Sequence, residues 1–211
     1  MASVNRRNVK SDLSRRLFLR GSAMTTAGAT MINATTAMIA KAQEAEPSGA
    51  SAVGPQPVSI ILNVNGAKRS LQIEPRVTLA EALRGPLNLT GTKIACNRGA
   101  CSACTVWLDG VPVCACMTLA IDVGARQVTT IEGLADGETL HPVQQAFIDH
   151  DALQCGFCTP GMIMSCAALL ERTPAPSAED VRAAISGHYC RCGNYPHVIA
   201  ATLDAAKARK G

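Results

Sequence analysis

Ten cysteines are the residues of this 211-residue chain whose types and spacing could do chemistry. The first set has the spacing C-x4-C-x2-C with a further cysteine after eleven residues, and comprises Cys96, Cys101, Cys104 and Cys116. This spacing is typical of plant-type 2Fe-2S sites, where small loop residues let backbone N–H groups point at the sulfur atoms. Zinc is the alternative, but zinc ribbons use two short C-x2-C knuckles. The pattern therefore predicts a 2Fe-2S cluster.

The fourth ligand of this first set is open between two cysteines. Cys114 and Cys116 lie two residues apart on one predicted strand, so both side chains point to the same side of that strand. Either thiol could face the cluster, and the other would then be a partly buried thiol close by.

The second set consists of Cys155-x2-Cys158 and, after thirty-one residues, Cys190-x-Cys192. Each pair lies just ahead of a predicted helix, where the helix dipole stabilises an anionic sulfur. The C-x-C pair is too tight for a zinc knuckle, and no βαβ context supports a thioredoxin-like role for the C-x2-C pair. The set predicts a second cluster, whereas Cys166, inside a predicted helix, is expected in the core.

Other candidate functional residues are few. The histidines are expected to be solvated or to cap helices, and none is predicted as a metal ligand: His141, His150, His188 and His197. There is no Ser/His/Asp arrangement, phosphate-binding Gly-rich loop or pair of acids that suggests hydrolysis. We therefore predict no catalytic residue, and no centre able to transform a substrate by itself.

The first cysteine set must be positioned by β-structure. β-rich stretches at 57–65 and 68–74 flank Asn65-Gly66, and two more flank Asp109-Gly110, which predicts two hairpins. Thr78 with Glu81 predicts a capping box that opens one short helix. These elements indicate a small β-rich domain over 57–133.

The second cysteine set lies among predicted helices. Helix-like composition and spacing occur in four segments, at 141–150, 160–172, 178–187 and 195–208. Four helices in so short a length predict an all-α bundle over 134–211. The predicted fold class is therefore α+β.

The N-terminal segment carries the basic charge of the chain. Residues 1–42 hold seven Arg or Lys and one Asp, so the rest of the chain has a net charge of −2 although the whole chain is at +4. No basic cluster with interleaved aromatic residues follows, which argues against nucleic acid as a partner.

Residues 1–42 also resemble an export signal. Arg15-Arg16 within S-R-R-L-F-L, an uncharged stretch after Arg20, and a small-residue end at Ala42 resemble a twin-arginine (Tat) signal. A membrane anchor is the rival, but the stretch is only weakly apolar. We expect cleavage after Ala42, a linker over 43–56, and a periplasmic protein.

Several segments together resemble one family. The segments C-N-R-G-A-C-S-A-C-T-V, H-P-V-Q-Q-A-F, Q-C-G-F-C-T-P-G-M and G-H-Y-C-R-C-G-N-Y are similar to the small iron–sulfur subunit of the xanthine dehydrogenase/aldehyde oxidoreductase family of molybdenum hydroxylases. The resemblance covers about residues 58–208 and, with the leader, is closest to subunits of periplasmic aldehyde oxidoreductases. It implies that Cys116 is the fourth ligand of a plant-type cluster on a ferredoxin-like β-grasp domain. It also implies a second cluster on Cys155, Cys158, Cys190 and Cys192.

The same resemblance implies partners and an order of electron transfer. Gln154 and Cys192 would approach the pterin of a molybdenum cofactor on a large subunit, and electrons would leave through the plant-type cluster to FAD on a third subunit or to another acceptor. The chain departs from the family pattern at Ala95 and Ser102, where glycine is usual, and at Gly85. None of these departures removes a ligand.

The expected function is an electron-transfer subunit of a periplasmic hetero-oligomeric molybdenum hydroxylase, with aldehydes as the expected substrates. An N-heterocycle hydroxylase is the alternative within the family. A freestanding ferredoxin-like carrier is a second hypothesis, although two clusters suit a fixed relay better. A disulfide-stapled protein is a third, which the C-x-C pair and the Gly-rich loop argue against.

Overall fold

The computed structural model describes residues 54–209. The predicted signal, its cleavage point after Ala42 and most of the predicted linker lie outside these residues. Across 54–209, every helix is too short or too polar to cross a bilayer.

The first half of the described chain forms a five-stranded mixed sheet in the order β2-β1-β5-β3-β4. All neighbouring strands are antiparallel except β1 and β5, which are parallel. The strands are β1 (Val58–Val64), β2 (Ala67–Ile73), β3 (Thr105–Leu108), β4 (Val111–Cys114) and β5 (Gln127–Thr129).

The two predicted hairpins are confirmed, and the turn residues explain them. Asn65 and Gly66 adopt φ values of 50° and 76°, and Asp109 and Gly110 adopt 50° and 79°. Two successive residues with positive φ make the tight turn whose twist matches that of the flanking strands. The Asn-Gly and Asp-Gly pairs therefore set the register of both hairpins.

Strand β5 was not predicted from the sequence. It has only three residues, and it pairs with β1 on one side and with β3 on the other. A segment this short has too little periodicity to be recognised, because its strand character comes from the two neighbours that it joins.

Within residues 54–209, five α-helices accompany the sheet: α1 (Leu79–Arg84), α2 (Pro142–Asp149), α3 (Thr159–Arg172), α4 (Ala178–Ile185) and α5 (Tyr195–Ala208). The capping box of α1 is confirmed, since Thr78 Oγ1 accepts the Glu81 N–H and a Glu81 carboxylate oxygen accepts the Thr78 N–H. All four helices predicted after the sheet are present. The α+β fold class, with a ferredoxin-like sheet followed by helices, is thereby confirmed.

In the described part of the chain, the buried side chains form two hydrophobic clusters. The sheet cluster packs α1 against β1, β2, β3 and β5, and includes Leu62, Leu79, Val106 and Val128. The helical cluster packs α2, α3, α4 and α5 together, and includes Phe147, Met162, Leu170 and Val198. Each cysteine set lies beside one of these clusters.

Candidate iron–sulfur sites

The plant-type loop, residues 95–104 between α1 and β3, carries three cysteines of the first set. Its backbone turns sharply at Asn97, Gly99 and Ser102, whose φ values are 51°, 72° and 53°. Positive φ at three positions within six residues reverses the chain repeatedly and turns successive N–H groups toward one side. Ser102 adopts this conformation despite its side chain.

Backbone N–H groups of this region are directed at cysteine sulfur atoms. The Gly99 N–H donates to Cys116 Sγ at 3.3 Å, and the Cys116 N–H donates to Cys104 Sγ at 3.4 Å. Hydrogen bonds to cysteine sulfur are one of the means by which a protein sets the properties of an iron–sulfur cluster. This region therefore directs donors at two of the predicted ligands.

Cys116 is not on the same strand as Cys114, so the prediction that both cysteines lie on one strand is wrong. Strand β4 ends at Cys114, and Cys116 lies in a 3₁₀ helix over Ala115–Met117 that turns its buried side chain toward Cys104. The half-buried Cys114 thiol instead lies 4.0 Å from the Gly99 carbonyl oxygen and 3.9 Å from Ser102 Oγ. This geometry favours Cys116 as the ligand.

The thiol pKa values of the first set follow from burial and hydrogen bonding. Hydrogen bonds from the Arg98 backbone and then from the Cys101 side chain lower the pKa of Cys96 to about 7. Burial raises the pKa of Cys104 to about 12, and the adjacent Cys116 thiol adds to this rise. The four thiols thus meet as two pairs, Cys96 with Cys101 and Cys104 with Cys116.

The second set lies at the starts of two helices. Cys158 is the N-cap residue of α3, and Cys190 and Cys192 lie in the turn before α5. Burial and the neighbouring Cys190 raise the pKa of Cys158 to about 12. Burial also acts to raise the pKa of Cys190, but backbone N–H groups led by that of Asn194 outweigh it and lower this pKa. The Asn194 N–H lies 3.5 Å from Cys190 Sγ.

Tyr195 and Asn194 hold the C-x-C turn in place. The Tyr195 hydroxyl donates to the His188 carbonyl at 2.9 Å and accepts the Cys190 N–H at 2.8 Å. The Asn194 side chain donates to the Asp151 carbonyl at 3.0 Å, which ties the turn to the segment leading to the C-x2-C pair. The two cysteine pairs of the second set are therefore held against each other.

A hydrogen bond joins the two cysteine sets. The Tyr189 N–H donates to the Cys101 carbonyl oxygen at 3.3 Å, and Tyr189 directly precedes Cys190. A cavity of about 500 Å³ lies beside this bond, lined by residues of both sets that include Cys101, Cys158 and Cys190. The two sites are thus neighbours within one compact unit.

The donor chemistry fits 2Fe-2S clusters. Among residues 54–209, no three His, Cys, Asp or Glu side chains converge as ligands of a single metal ion. Three pairs of thiols lie side by side, Cys96 with Cys101, Cys104 with Cys116 and Cys158 with Cys190, and each iron of a 2Fe-2S cluster takes two thiolates. The ligand assignment of the eight cysteines stays a prediction.

Three of the four histidines have the expected roles. His141 caps α2, where its Nδ1 accepts the Val143 N–H at 3.2 Å. His150 lies 3.3 Å from the Asp204 carboxylate, and the exposed His197 contacts the His150 carbonyl.

His188 is neither solvated nor a cap, so the prediction for this residue is wrong. It is 4% exposed, and its Nε2 lies 2.7 Å from Ser165 Oγ, while its Nδ1 is buried without a partner. Burial lowers its pKa to about 4. The sequence places His188 in a turn, and no local pattern indicates the contact of its ring with Ser165 on α3.

Three further residues have roles predicted from the sequence: Cys166, Gln154 and Cys192. Cys166 is fully buried in the helical cluster, as predicted for a core residue, and burial raises its pKa to about 12. Gln154 is exposed and Cys192 is half-buried, and both lie in the turns that carry the second set.

Two family models match the chain. A 2Fe-2S iron–sulfur cluster binding domain matches residues 62–127, and a 2Fe-2S binding domain matches residues 130–203. The fold and the cysteine sets therefore define a protein with two 2Fe-2S binding domains, one ferredoxin-like and one helical.

Similarity to individual proteins identifies the family to which the chain belongs. The chain is 47% identical to the nicotine 6-hydroxylase small subunit of Paenarthrobacter nicotinovorans, over 70% of this chain and 89% of that protein. It is 39% identical to the aldehyde oxidoreductase iron-sulfur-binding subunit PaoA of Escherichia coli (strain K12), over 92% of this chain and 88% of that protein. The crystal structure of quinoline 2-oxidoreductase from Pseudomonas putida 86 superposes with a TM-score of 0.71 at 45% identity, over 74% of this chain and 98% of that chain. The chain belongs to the family of iron–sulfur subunits of molybdenum hydroxylases.

Proposed function

We propose that the chain passes single electrons from a molybdenum cofactor on a large partner subunit to FAD on a third subunit or to another acceptor. The observation that carries this proposal is the hydrogen bond from the Tyr189 N–H to the Cys101 carbonyl. The bond joins Cys101 of the first set to Tyr189, the residue before Cys190 of the second set. A relay requires the two sets to lie close together in this way.

Eight cysteines would hold the two clusters. Cys96, Cys101, Cys104 and Cys116 form the plant-type site, and Cys155, Cys158, Cys190 and Cys192 form the site on the helical domain. When bound, the clusters supply one-electron redox chemistry, with potentials set by hydrogen bonds to sulfur, burial and net charge. The N–H groups of Gly99, Cys116 and Asn194 supply such hydrogen bonds.

The helical-domain site would face the large subunit. Large apolar side chains are exposed beside its cysteines, since Leu153, Phe157 and Tyr189 are 42%, 47% and 68% exposed. Exposed apolar groups in such a concentration are typical of a surface that a partner covers. Gln154 and Cys192 lie on the same turns and would approach the pterin there.

Aldehydes are the proposed substrate class, and the periplasm is the proposed location. The alignment with the aldehyde oxidoreductase subunit covers 92% of the chain, more than residues 54–209 could supply, and so it extends into the region of the predicted Tat signal. The alignment with the nicotine 6-hydroxylase subunit covers 70%. An alignment that includes part of residues 1–42 supports the proposal that this segment has a shared role as an export signal.

An N-heterocycle hydroxylase is the second candidate, favoured by the higher identity to the nicotine 6-hydroxylase small subunit. The substrate would bind on the large subunit, so the surface of this chain does not discriminate the two classes. A freestanding carrier is disfavoured, because a carrier needs one exposed cluster and no second domain.

Purification from the periplasmic fraction tests the proposal. The tagged full-length chain should copurify with a much larger subunit that contains molybdenum, and the complex should oxidise aromatic or aliphatic aldehydes faster than quinoline or nicotinate. An Arg15→Lys, Arg16→Lys variant should accumulate in the cytoplasm. A chain that purifies alone, with iron but without molybdenum, would instead support the carrier.

A further inference from the structure

Trp107 is the single tryptophan of the chain and lies on β3, next to the plant-type loop. Its strand neighbours Val106 and Leu108 point into the sheet cluster, whereas Trp107 packs against the helical cluster. Because alternate residues of a strand point to opposite faces, β3 uses one face for its own core. The other face lies against the helical domain.

A hydrogen bond from the indole to α3 accompanies this packing. The Trp107 Nε1–H donates to the Met164 carbonyl oxygen, in the middle of α3, at 2.9 Å. The indole thus combines apolar contact with one hydrogen bond at a half-buried position, which fixes both its depth and its orientation on α3.

The contact of Trp107 with α3 belongs to the boundary between the sheet and the helical domain, which we call the domain seam. This seam continues toward the cysteines. At the start of α3, a Cβ atom on Gly161 would lie 2.5 Å from the Ser102 carbonyl oxygen, so the helix backbone rests directly on the plant-type loop. The bond from the Tyr189 N–H to the Cys101 carbonyl lies on this seam as well.

Trp107 is close in sequence to the first cysteine set and packs against the same hydrophobic cluster as two cysteines of the second set. Cys104 precedes it by three residues, and Cys158 and Cys190 pack against the same helical cluster as the indole. A shift of Trp107 on α3 would therefore change the separation of the two sets.

We propose that Trp107 is a positioning residue that sets the spacing between the two cysteine sets, an inference that rests on the relay proposed above. The step controlled by this spacing is the transfer of one electron between the two sites, in which no bond forms or breaks. The rate of electron transfer falls steeply as the distance between the two sites grows. A fixed distance across the domain seam therefore keeps this rate constant.

Two variants separate the hydrogen bond from the packing. Trp107→Phe keeps an aromatic ring but removes the donor, and Trp107→Ala removes both. Ile61→Ala, at an exposed position on β1, is the matched control. The readouts, measured on the purified complex, are amide hydrogen exchange at Tyr189, whose N–H bridges the seam, and magnetic coupling between the two reduced clusters in electron paramagnetic resonance.

We expect Trp107→Phe to speed exchange at Tyr189 about fivefold, the factor that corresponds to one lost hydrogen bond. Trp107→Ala should exchange faster still and should lose magnetic coupling in molecules that retain both clusters. Ile61→Ala should behave as the wild type does.

Wild-type exchange and coupling in both Trp107 variants would overturn the positioning role and leave the relay intact. A wild-type complex without two cluster signals would instead refute the relay. If Trp107→Ala does not fold, exchange in Trp107→Phe decides, because a role in folding alone would leave Tyr189 protected once the variant is folded.

Discussion

The backbone N–H of Gly99 donates to the Sγ atom of Cys116 at 3.3 Å. The Cys114 thiol meets the same residue in the opposite sense, since its Sγ lies 4.0 Å from the Gly99 carbonyl oxygen. Cys116 therefore accepts a hydrogen bond from Gly99, as the sulfur ligands of iron–sulfur clusters do, whereas Cys114 can only donate to Gly99. One residue therefore distinguishes the two candidate ligands.

A Cys114→Ser variant should accordingly keep both clusters, because its hydroxyl can donate to the same carbonyl oxygen. Cys116→Ser should lose or strongly alter the plant-type signal. Electron paramagnetic resonance of the reduced variants measures this directly. A single remaining signal in Cys114→Ser would show that the fourth ligand had been assigned to the wrong cysteine.

The helical-domain cysteines should control entry of electrons from the substrate. In the purified complex, Cys155→Ser or Cys192→Ser should stop reduction of the plant-type cluster by substrate, because the first site of the relay is lost. Reduction of the same cluster by dithionite should persist. Stopped-flow absorbance with both reductants checks this, and unchanged reduction by substrate would mean that electrons bypass the second set.

Loss of the Tyr195 hydroxyl should lower the free energy of unfolding more than loss of the hydroxyl of the exposed Tyr189. Tyr195→Phe leaves the Cys190 N–H and the His188 carbonyl without their shared partner, at a cost of about 1–3 kcal/mol if both stay unpaired. Thermal unfolding should show this loss, and the signal of the helical-domain cluster should change shape. Tyr189→Phe is the control, and equal effects of the two variants would contradict the role of the hydroxyl.

The cap of α2 should respond to pH. Burial, and then the charge of Arg209, lower the pKa of His141 below 6.5, so the neutral ring is favoured in the folded state. Stability from this group is therefore present above the pKa of the unfolded state and is lost as pH falls through the lowered value. Protonation also removes the acceptor used by the Val143 N–H, and losing an N-cap costs about 1 kcal/mol.

Replacing this histidine separates the cap from its titration. His141→Asn should keep the cap and abolish its part of the pH dependence, whereas His141→Ala should lose the cap at every pH. Chemical denaturation of the three proteins between pH 5 and 8 checks this. A pH profile of His141→Asn equal to that of the wild type would place the titration elsewhere.

Much of the fold follows from local sequence signals. Asn65-Gly66 and Asp109-Gly110 specify their hairpin turns by backbone conformation alone, and the capping box at Thr78 acts within one helical turn. The cysteine spacings likewise indicate the chemistry of both sites, because the ligands of a cluster must lie in short loops.

Features that arise from contacts between distant segments could not be predicted in this way. Strand β5 exists because β1 and β3 flank it, and His188 is buried because α3 lies against its turn. Cys116 leaves the strand in a 3₁₀ helix that no local pattern indicates. The role of Trp107 in joining the domains is of the same kind, since its sequence neighbours predict only a strand.

Reduction by substrate, followed by electron paramagnetic resonance, tests the central claim most directly. The purified complex, reduced with an aldehyde, should show two distinct 2Fe-2S signals from one copy of this chain, coupled to each other. A complex that turns over the aldehyde with one 2Fe-2S signal, or with none, would contradict a relay through both cysteine sets.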